Sequence, residues 1–193
     1  AALGLPPAEA AALDPQARAL LEGVAEVVLS TGPRPAGGPP SAGGTAAAGS
    51  PLPLPTTAVY AGCMYTEFLD AVAAPAGVAD GAGAAITGHG LAFLVGRVSF
   101  TLGLSGPCVA VDTACSSSLV AAHLGRAALA GGEAGAAVAG GVNAMLSPTT
   151  TARICLLGAL SPVGRCATFD AAADGYGRGE GFACVLMRKV ADV

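Results

Sequence analysis

Short apolar runs that alternate with helix-length segments are the feature that most limits the possible folds of this chain. Three runs of four to seven residues are almost entirely apolar: CVAV at 108–111, AAVAGGV at 136–142 and FACVLMR at 182–188. Their length and composition predict β-strands, and we expect the first two to be buried on both faces of a sheet. TAVYAG at 57–62 is a further, shorter strand candidate.

Segments with helical periodicity separate these strands. Asp14 is suited to cap the free N–H groups of a helix, Pro15 suits its first position, and Gly32 follows its end. The apolar residues of this helix recur at helical spacing: Leu20, Leu21, Val24, Val27 and Val28. We predict further helices at 91–102, 116–130 and 150–157, and a helical turn at 67–74. Helices that alternate with strands in this way predict a layered α/β fold.

The composition argues against several classes of function. The net charge is −4 and the nine basic residues are scattered, so we expect no nucleic-acid partner. The six cysteines form no C-x-x-C pair, which predicts reduced thiols and no metal site. We therefore expect a cytoplasmic location, with an organellar one left open. The longest uncharged runs are interrupted, for example by Asn143 and Pro148, so we predict no membrane span.

Residues 32–55 differ in composition from the rest of the chain. Thirteen of these 24 residues are Pro or Gly, and Arg34 carries their only charge. A segment of this kind has too few large apolar side chains to form a core. We interpret it as a Pro/Gly-rich loop insertion, and a functional lid is the alternative.

One cysteine stands where a predicted strand meets a predicted helix. In VDTACSSSL, at 111–119, Cys115 follows the strand at 108–111 and precedes the helix that begins near Ser116. The unpaired N–H groups at a helix N-terminus stabilise an anion by roughly 0.3–1 kcal/mol, which favours a thiolate nucleophile. The same groups are able to bind the oxyanion that forms when a carbonyl is attacked. A buried small residue is the alternative role, and position alone does not decide between the two.

The residues around this cysteine also resemble a known family. VDTACSSSLVAAHL at 111–124 closely resembles the nucleophile motif of β-ketoacyl synthases, in particular the ketosynthase domains of type I polyketide synthases and animal-type fatty acid synthases. Further matching motifs follow the same order along most of the chain. They are LDPQARALLEGVAEV at 13–27, AGCMYTEF at 61–68, TGHGLAFLVGRVSFTLGLSGPC at 87–108, AGGVNAMLSP at 139–148 and GALSPVGRCATFDAAADGYGRGEG at 158–181.

This resemblance implies a fold and an assembly. The family has a thiolase-like fold, in which two similar halves stack their sheets between helices. Residues 1–193 resemble the N-terminal half, a layered α/β/α unit with a mixed sheet. The resemblance thus implies a partial ketosynthase domain, truncated at both ends, from a protein that forms a homodimer.

The resemblance also implies a reaction, the decarboxylative Claisen condensation of polyketide biosynthesis. Cys115 would be the nucleophile that accepts an acyl chain, its own N–H would bind the oxyanion, and Met64 and Tyr65 would line the acyl pocket. A malonyl-type extender on an acyl carrier protein would then lose CO₂ and attack the acyl group. The family binds no cofactor directly, because its substrates are carried on the phosphopantetheine of the carrier protein.

The chain departs from the family in its histidines. The family uses two histidines after the nucleophile, and this sequence has only His89 and His123, neither in a matching motif. His123 lies eight residues beyond Cys115, about 12 Å along the predicted helix, and is therefore too far away to bond the thiol. We expect the isolated fragment to be inactive in condensation.

Several alternatives remain at this point. The same chemistry in a type I fatty acid synthase is the nearest, and a non-catalytic, dimer-forming remnant comes from a different class. A cysteine protease is less supported, because no His–Asn partner sequence is visible. Two Gly-rich segments do not fit nucleotide binding. GAGAAITGHG at 81–90 lacks the dinucleotide spacing, and DGYGRGEG at 174–181 lacks the Lys-Ser/Thr pair of a phosphate loop.

Overall fold

A four-stranded mixed sheet organises the part of the chain that the computed structural model describes, residues 3–30, 56–68 and 88–190. Its strands are β1 (Thr57–Gly62), β2 (Cys108–Val111), β3 (Ala136–Asn143) and β4 (Gly181–Arg188), in the spatial order β2-β1-β3-β4. β1 pairs in parallel with β2 and β3, whereas β4 pairs antiparallel with β3. The four strands predicted from the apolar runs are confirmed.

Five helices are present among the described residues. They are α1 (Pro7–Ala12), α2 (Pro15–Ser30), α3 (Leu91–Leu102), α4 (Ser117–Gly131) and α5 (Pro148–Leu156). The last four confirm the predicted helices, and α1 was not predicted. The loop insertion at 32–55, most of the predicted turn at 67–74 and most of the Gly-rich segment at 81–90 lie outside the described residues.

Helix α2 begins as its sequence predicts, with a buried aspartate as its cap. The carboxylate of Asp14 accepts a hydrogen bond from the backbone N–H of Gln16 at 2.8 Å. Asp14 is almost completely buried, and burial raises the pKa of its carboxyl although hydrogen bonds from Gln16 oppose that rise. The start of this helix is therefore held deep in the protein rather than at its surface.

The helices cover both faces of the sheet, because successive side chains of a strand point to opposite faces. Val59 and Ala61 of β1 pack in one apolar cluster with α2 and α3. Ala58 and Tyr60 of the same strand pack in a second cluster with α4. The result is the layered α/β/α arrangement with a mixed sheet that the sequence predicts.

The expectation that β2 is buried on both faces was wrong. β2 is an edge strand of the described sheet, where Cys108 is exposed and Val109 is 42% exposed. β3 lies between two strands, and residues 136–140 are all buried, as expected. Both sequences have the apolar composition of a buried strand, so the difference comes from their place in the pairing order.

Two glycines allow α4 to begin directly against the sheet. A Cβ at Gly62, the last residue of β1, would lie 2.6 Å from the backbone nitrogen of Ser118. A Cβ at Gly141, in β3, would lie 2.7 Å from the Cβ of Ser118. Neither distance is possible for a real side chain, so the first turn of α4 sits where only glycine leaves room.

Replacing Gly62 should therefore destabilise the protein. We expect Gly62→Ala to lower the free energy of unfolding by about 1–3 kcal/mol, because the new methyl group overlaps backbone atoms that cannot move independently. Urea denaturation followed by circular dichroism measures this change. Gly96→Ala is the matched control, since its added Cβ has no described atom within 4 Å apart from its chain neighbours and the backbone of its own helix. This helical substitution should be neutral or stabilising by up to ~1 kcal/mol. Equal stabilities of the two variants would contradict the packing described here.

Candidate active site

Cys115 lies in a tight turn between the end of β2 and the start of α4. The turn places Ala114 at φ 54°, in the left-handed region that residues other than glycine rarely adopt. Ser116 is the N-cap residue of α4, and its helical hydrogen bonds begin directly after the cysteine. Cys115 is exposed to solvent. The predicted junction of strand and helix is therefore present, with the cysteine outside the helix at its N-terminal end.

Side chains within this turn hold its shape. Asp112 accepts a hydrogen bond from the backbone N–H of Ala114 at 3.0 Å. The hydroxyl of Ser117 accepts from the N–H of Thr113 at 2.9 Å and donates to the carbonyl of Ala114 at 2.6 Å. The left-handed conformation at Ala114 is thus fixed from both sides, which is typical of strained backbone at functional sites.

The turn opens onto a cleft of about 740 Å³. The walls are the carboxyl ends of β1 and β3, the first turn of α4, the loop at 176–179 and the start of β4. Cys115, Met64 and Tyr65, the three residues singled out in the sequence, all line this cleft. A cavity of this size is in the range that holds small-molecule ligands in proteins.

One wall of the cleft is backed by a buried carboxylate. Glu67 is 3% exposed, and its Oε2 accepts hydrogen bonds from the backbone N–H groups of Leu146 and Ser147 at 2.7 and 2.8 Å. Burial alone would raise the pKa of Glu67. Hydrogen bonds from Thr150 and from these two N–H groups, with the charge of Arg178, outweigh burial and lower it. The ionised carboxylate therefore ties the loop after β1 to the loop before α5.

Arg178 completes this buried polar wall. Its guanidinium donates to the hydroxyl of Thr151 at 2.6 Å and lies 3.9 Å from the carboxylate of Glu67. The same guanidinium stacks over the ring of Tyr65, 5.7 Å from the ring centroid. Arg178 belongs to the Gly-rich segment DGYGRGEG at 174–181. Its role is visible only once the fold brings residue 178 beside Tyr65.

Gln16 connects the same segment to the first long helix. Its side-chain Nε2 donates to the backbone carbonyl of Tyr65 at 2.7 Å. Its Oε1 accepts from the backbone N–H of Ala144 at 3.0 Å. The thiol of Cys63 lies 3.8 Å from the same oxygen, and its nearer acceptor is the Tyr65 carbonyl at 3.4 Å. The sequence motif at 13–27 contains this glutamine, but its periodicity gives no sign of these partners.

The two histidines of the sequence do not line the cleft. His123 is exposed on α4, and His89 lies just before α3. Within the described residues, no group of three or more His, Cys, Asp or Glu side chains is placed to hold a metal ion. None of the described helices has the length and apolarity needed to cross a membrane.

Comparison with known proteins identifies relatives over almost the whole chain. The model of the family described as "Beta-ketoacyl synthase, N-terminal domain" matches residues 1–192. A phenolphthiocerol/phthiocerol polyketide synthase of Mycobacterium tuberculosis is 46% identical over 190 residues, which cover 98% of this chain and 11% of that protein. Erythronolide synthase EryA3 of Saccharopolyspora erythraea is 39% identical over 189 residues, which cover 98% of this chain and 5% of that protein.

Solved structures show the same likeness. The ketosynthase from module 6 of the bacillaene synthase of Bacillus subtilis 168 is 29% identical, with a TM-score of 0.72. That match covers 98% of this chain and 29% of the other. The oxazolomycin ketosynthase domain OzmH KS7 of Streptomyces albus JA3453 is 27% identical, with a TM-score of 0.70, and covers 98% of this chain and 31% of the other. The chain thus spans about a third or less of the length of each of these four relatives.

The site geometry predicts unequal reactivity of the cysteines. Burial, with a smaller effect of the Asp14 charge, raises the pKa of the Cys63 thiol from 9.0 to about 11. This lowers its thiolate population at neutral pH by about a hundredfold. In iodoacetamide labelling at pH 7.5, followed by peptide mass spectrometry, we expect Cys115 to react well before Cys63. Exposed Cys155 serves as the reference for an accessible thiol. Labelling of Cys63 as fast as Cys115 would show that this geometry is wrong.

Proposed function

The chain belongs to the β-ketoacyl synthase family, as its N-terminal domain, and from this membership we propose that it carries the acyl-accepting cysteine of a polyketide condensing enzyme. The resemblance stated from the sequence is confirmed, as is the thiolase-like α/β fold of the N-terminal half. The proposed overall reaction is a decarboxylative Claisen condensation between an acyl chain on the enzyme and a malonyl-type extender.

The position of Cys115 in the structure is the main support for this proposal. The thiol is exposed at the start of α4, beside a cleft that Met64 and Tyr65 also line. A thiol at this position is within reach of an incoming thioester. The cleft has room for the acyl chain that is attached to the reacting carbonyl carbon.

In the first step that we propose, the thiolate of Cys115 attacks the carbonyl carbon of an acyl thioester. The developing oxyanion accepts a hydrogen bond from the backbone N–H of Cys115. Loss of one such donor typically lowers rates by about 10²–10³-fold. The carbon–sulfur bond to the carrier then breaks, and the carrier thiolate leaves and takes up a proton. The acyl chain remains bonded to Cys115, with Met64 and Tyr65 as the walls beside it.

In the second step, a malonyl-type thioester enters and loses CO₂. The electron pair left on its α-carbon attacks the acyl carbonyl, the bond to Cys115 breaks, and a β-ketoacyl thioester forms. In the family, two histidines after the nucleophile assist this step, and no matching histidine motif occurs in these 193 residues. We therefore propose that these residues by themselves support acylation of Cys115 but not condensation.

The polyketide pathway is favoured over the alternatives by the named relatives, which are polyketide synthases. We propose that the substrates arrive on the phosphopantetheine of an acyl carrier protein, so that the domain itself binds no cofactor. We also propose a homodimer with a cytoplasmic location. The cysteine itself argues against a non-catalytic remnant, because such a copy has no chemical need for a thiol in this turn.

Acyl transfer to the cysteine tests this proposal. The protein, with any flanking domains that its gene encodes, is incubated with a radiolabelled acyl thioester and digested, and the labelled peptide is identified. We expect stable label on the peptide that contains Cys115, none in Cys115→Ala, and unchanged labelling in the control Cys155→Ala. Unlabelled wild-type protein, or label that persists in Cys115→Ala, would end the proposal.

A further inference from the structure

We propose that Gln16 is a positioning residue, which fixes the wall of the acyl pocket and thereby determines which acyl chains Cys115 accepts. This inference rests on the proposed function of Cys115. Gln16 lies on α2 and does not itself line the cleft. It acts through the segment at 63–65, which does.

The contacts of Gln16 join three separate parts of the fold. One side-chain atom donates to the carbonyl of Tyr65 at 2.7 Å, in the loop after β1. The other accepts from the N–H of Ala144 at 3.0 Å, directly after β3. Ala144 and Tyr65 are thus linked through one amide group, and both follow strands whose carboxyl ends form the cleft. The thiol of Cys63 lies 3.8 Å from Oε1, but its nearer acceptor is the carbonyl of Tyr65 at 3.4 Å.

The chemistry of these partners requires an amide at this position. A backbone carbonyl needs a donor and a backbone N–H needs an acceptor, and a glutamine supplies both from one rigid planar group. The glutamine is 1% exposed, so water cannot replace either bond if the side chain is removed. Because one partner is an acceptor and the other a donor, the amide satisfies both only with its nitrogen toward Tyr65 and its oxygen toward Ala144. The segment at 63–65 is therefore held at a fixed distance from the end of β3.

The hydrogen bonds of Gln16 affect the shape of the pocket through the position of the Tyr65 ring. Gln16 holds the backbone of Tyr65, while Arg178 covers one face of its ring, 5.7 Å from the centroid. Backbone and ring are thus fixed by two buried groups from different elements. If the backbone bond is lost, the ring and the neighbouring Met64 are free to shift into or away from the cleft. The width available to an acyl chain beside Cys115 would change, whereas the turn that presents the thiol would not.

The experiment compares Gln16→Met with Val24→Ala. Methionine keeps the length of the side chain but removes both hydrogen-bonding groups. Val24 is a buried residue of the same helix, in the apolar cluster with α3, so its variant controls for general loosening of α2. Acylation of Cys115 is measured by mass spectrometry with acetyl and 2-methylbutanoyl thioesters of N-acetylcysteamine. Alkylation of Cys115 by iodoacetamide is measured in parallel, as a reaction that does not need the pocket.

We expect Gln16→Met to change the ratio of the second-order acylation rate constants for the two thioesters by about tenfold or more, since shifts of an ångström in a pocket wall have effects of that size. Its iodoacetamide rate should stay within about twofold of wild type, because the turn around Cys115 is intact. Val24→Ala should leave both the ratio and the alkylation rate unchanged. An unchanged ratio in Gln16→Met, or the same change in Val24→Ala, would overturn the inference.

A second measurement decides the case in which Gln16→Met does not fold. In the wild-type protein, the amide of Ala144 should exchange with deuterium as slowly as the amides of β3, because Gln16 accepts its hydrogen bond. Rapid exchange at Ala144 would refute the hydrogen bond from its N–H to Gln16. Failure of the proposed function gives a different result, since wild-type Cys115 would then accept neither thioester.

Discussion

Close contact between the first turn of α4 and the ends of β1 and β3 is the constraint on which the site depends. Gly62 and Gly141 leave no room for a side chain beneath Ser117 and Ser118, so the helix begins at a fixed place against the sheet. The chain leaves β2 at the edge and must reach this place within five residues, 112–116. A left-handed residue at Ala114 makes the sharp turn, and Cys115 is presented at the mouth of the cleft as a result.

Buried polar groups help to hold the part of the cleft wall that follows β1. Gln16, Glu67 and Arg178 each connect the segment after β1 with a distant part of the chain. The lowered pKa of Glu67 means that its ionised form stabilises the folded state at pH values above the ordinary carboxyl range. This contribution is lost as the pH falls through the lowered value. Such groups are costly to bury without partners, and here their partners are the loops that form the cleft.

Sequence reasoning predicted most of the framework, because strands and helices leave local patterns. The alternation of apolar runs and periodic segments located β1 to β4 and α2 to α5, and the motif around Cys115 placed this cysteine at the start of a helix. The partial exposure of β2 at the edge of the sheet was not predictable from its sequence. Whether an apolar strand lies in the centre or at the edge depends on the pairing order, which its own residues do not encode.

The polar wall was missed for a related reason. Gln16 and Tyr65 are 49 residues apart, and Arg178 and Thr151 are 27 apart. Contacts at such separations follow from the tertiary fold and leave no spacing that a single sequence reveals. The family motifs contain Gln16, Tyr65 and Arg178, but a motif gives only the residue types along the chain and not the side-chain contacts that they make. The contacts that shape the cleft therefore had to come from the structure.

We propose that Cys115, at the start of α4, receives an acyl chain that enters the cleft beside it. The most direct measurement is a crystal structure of the protein after reaction with an acyl thioester. We expect the acyl carbon bonded to the sulfur of Cys115, the carbonyl oxygen within hydrogen-bonding distance of the Cys115 N–H, and the chain alongside Met64 and Tyr65. An acyl group on another cysteine, or a chain directed out of the cleft into solvent, would contradict this role of Cys115.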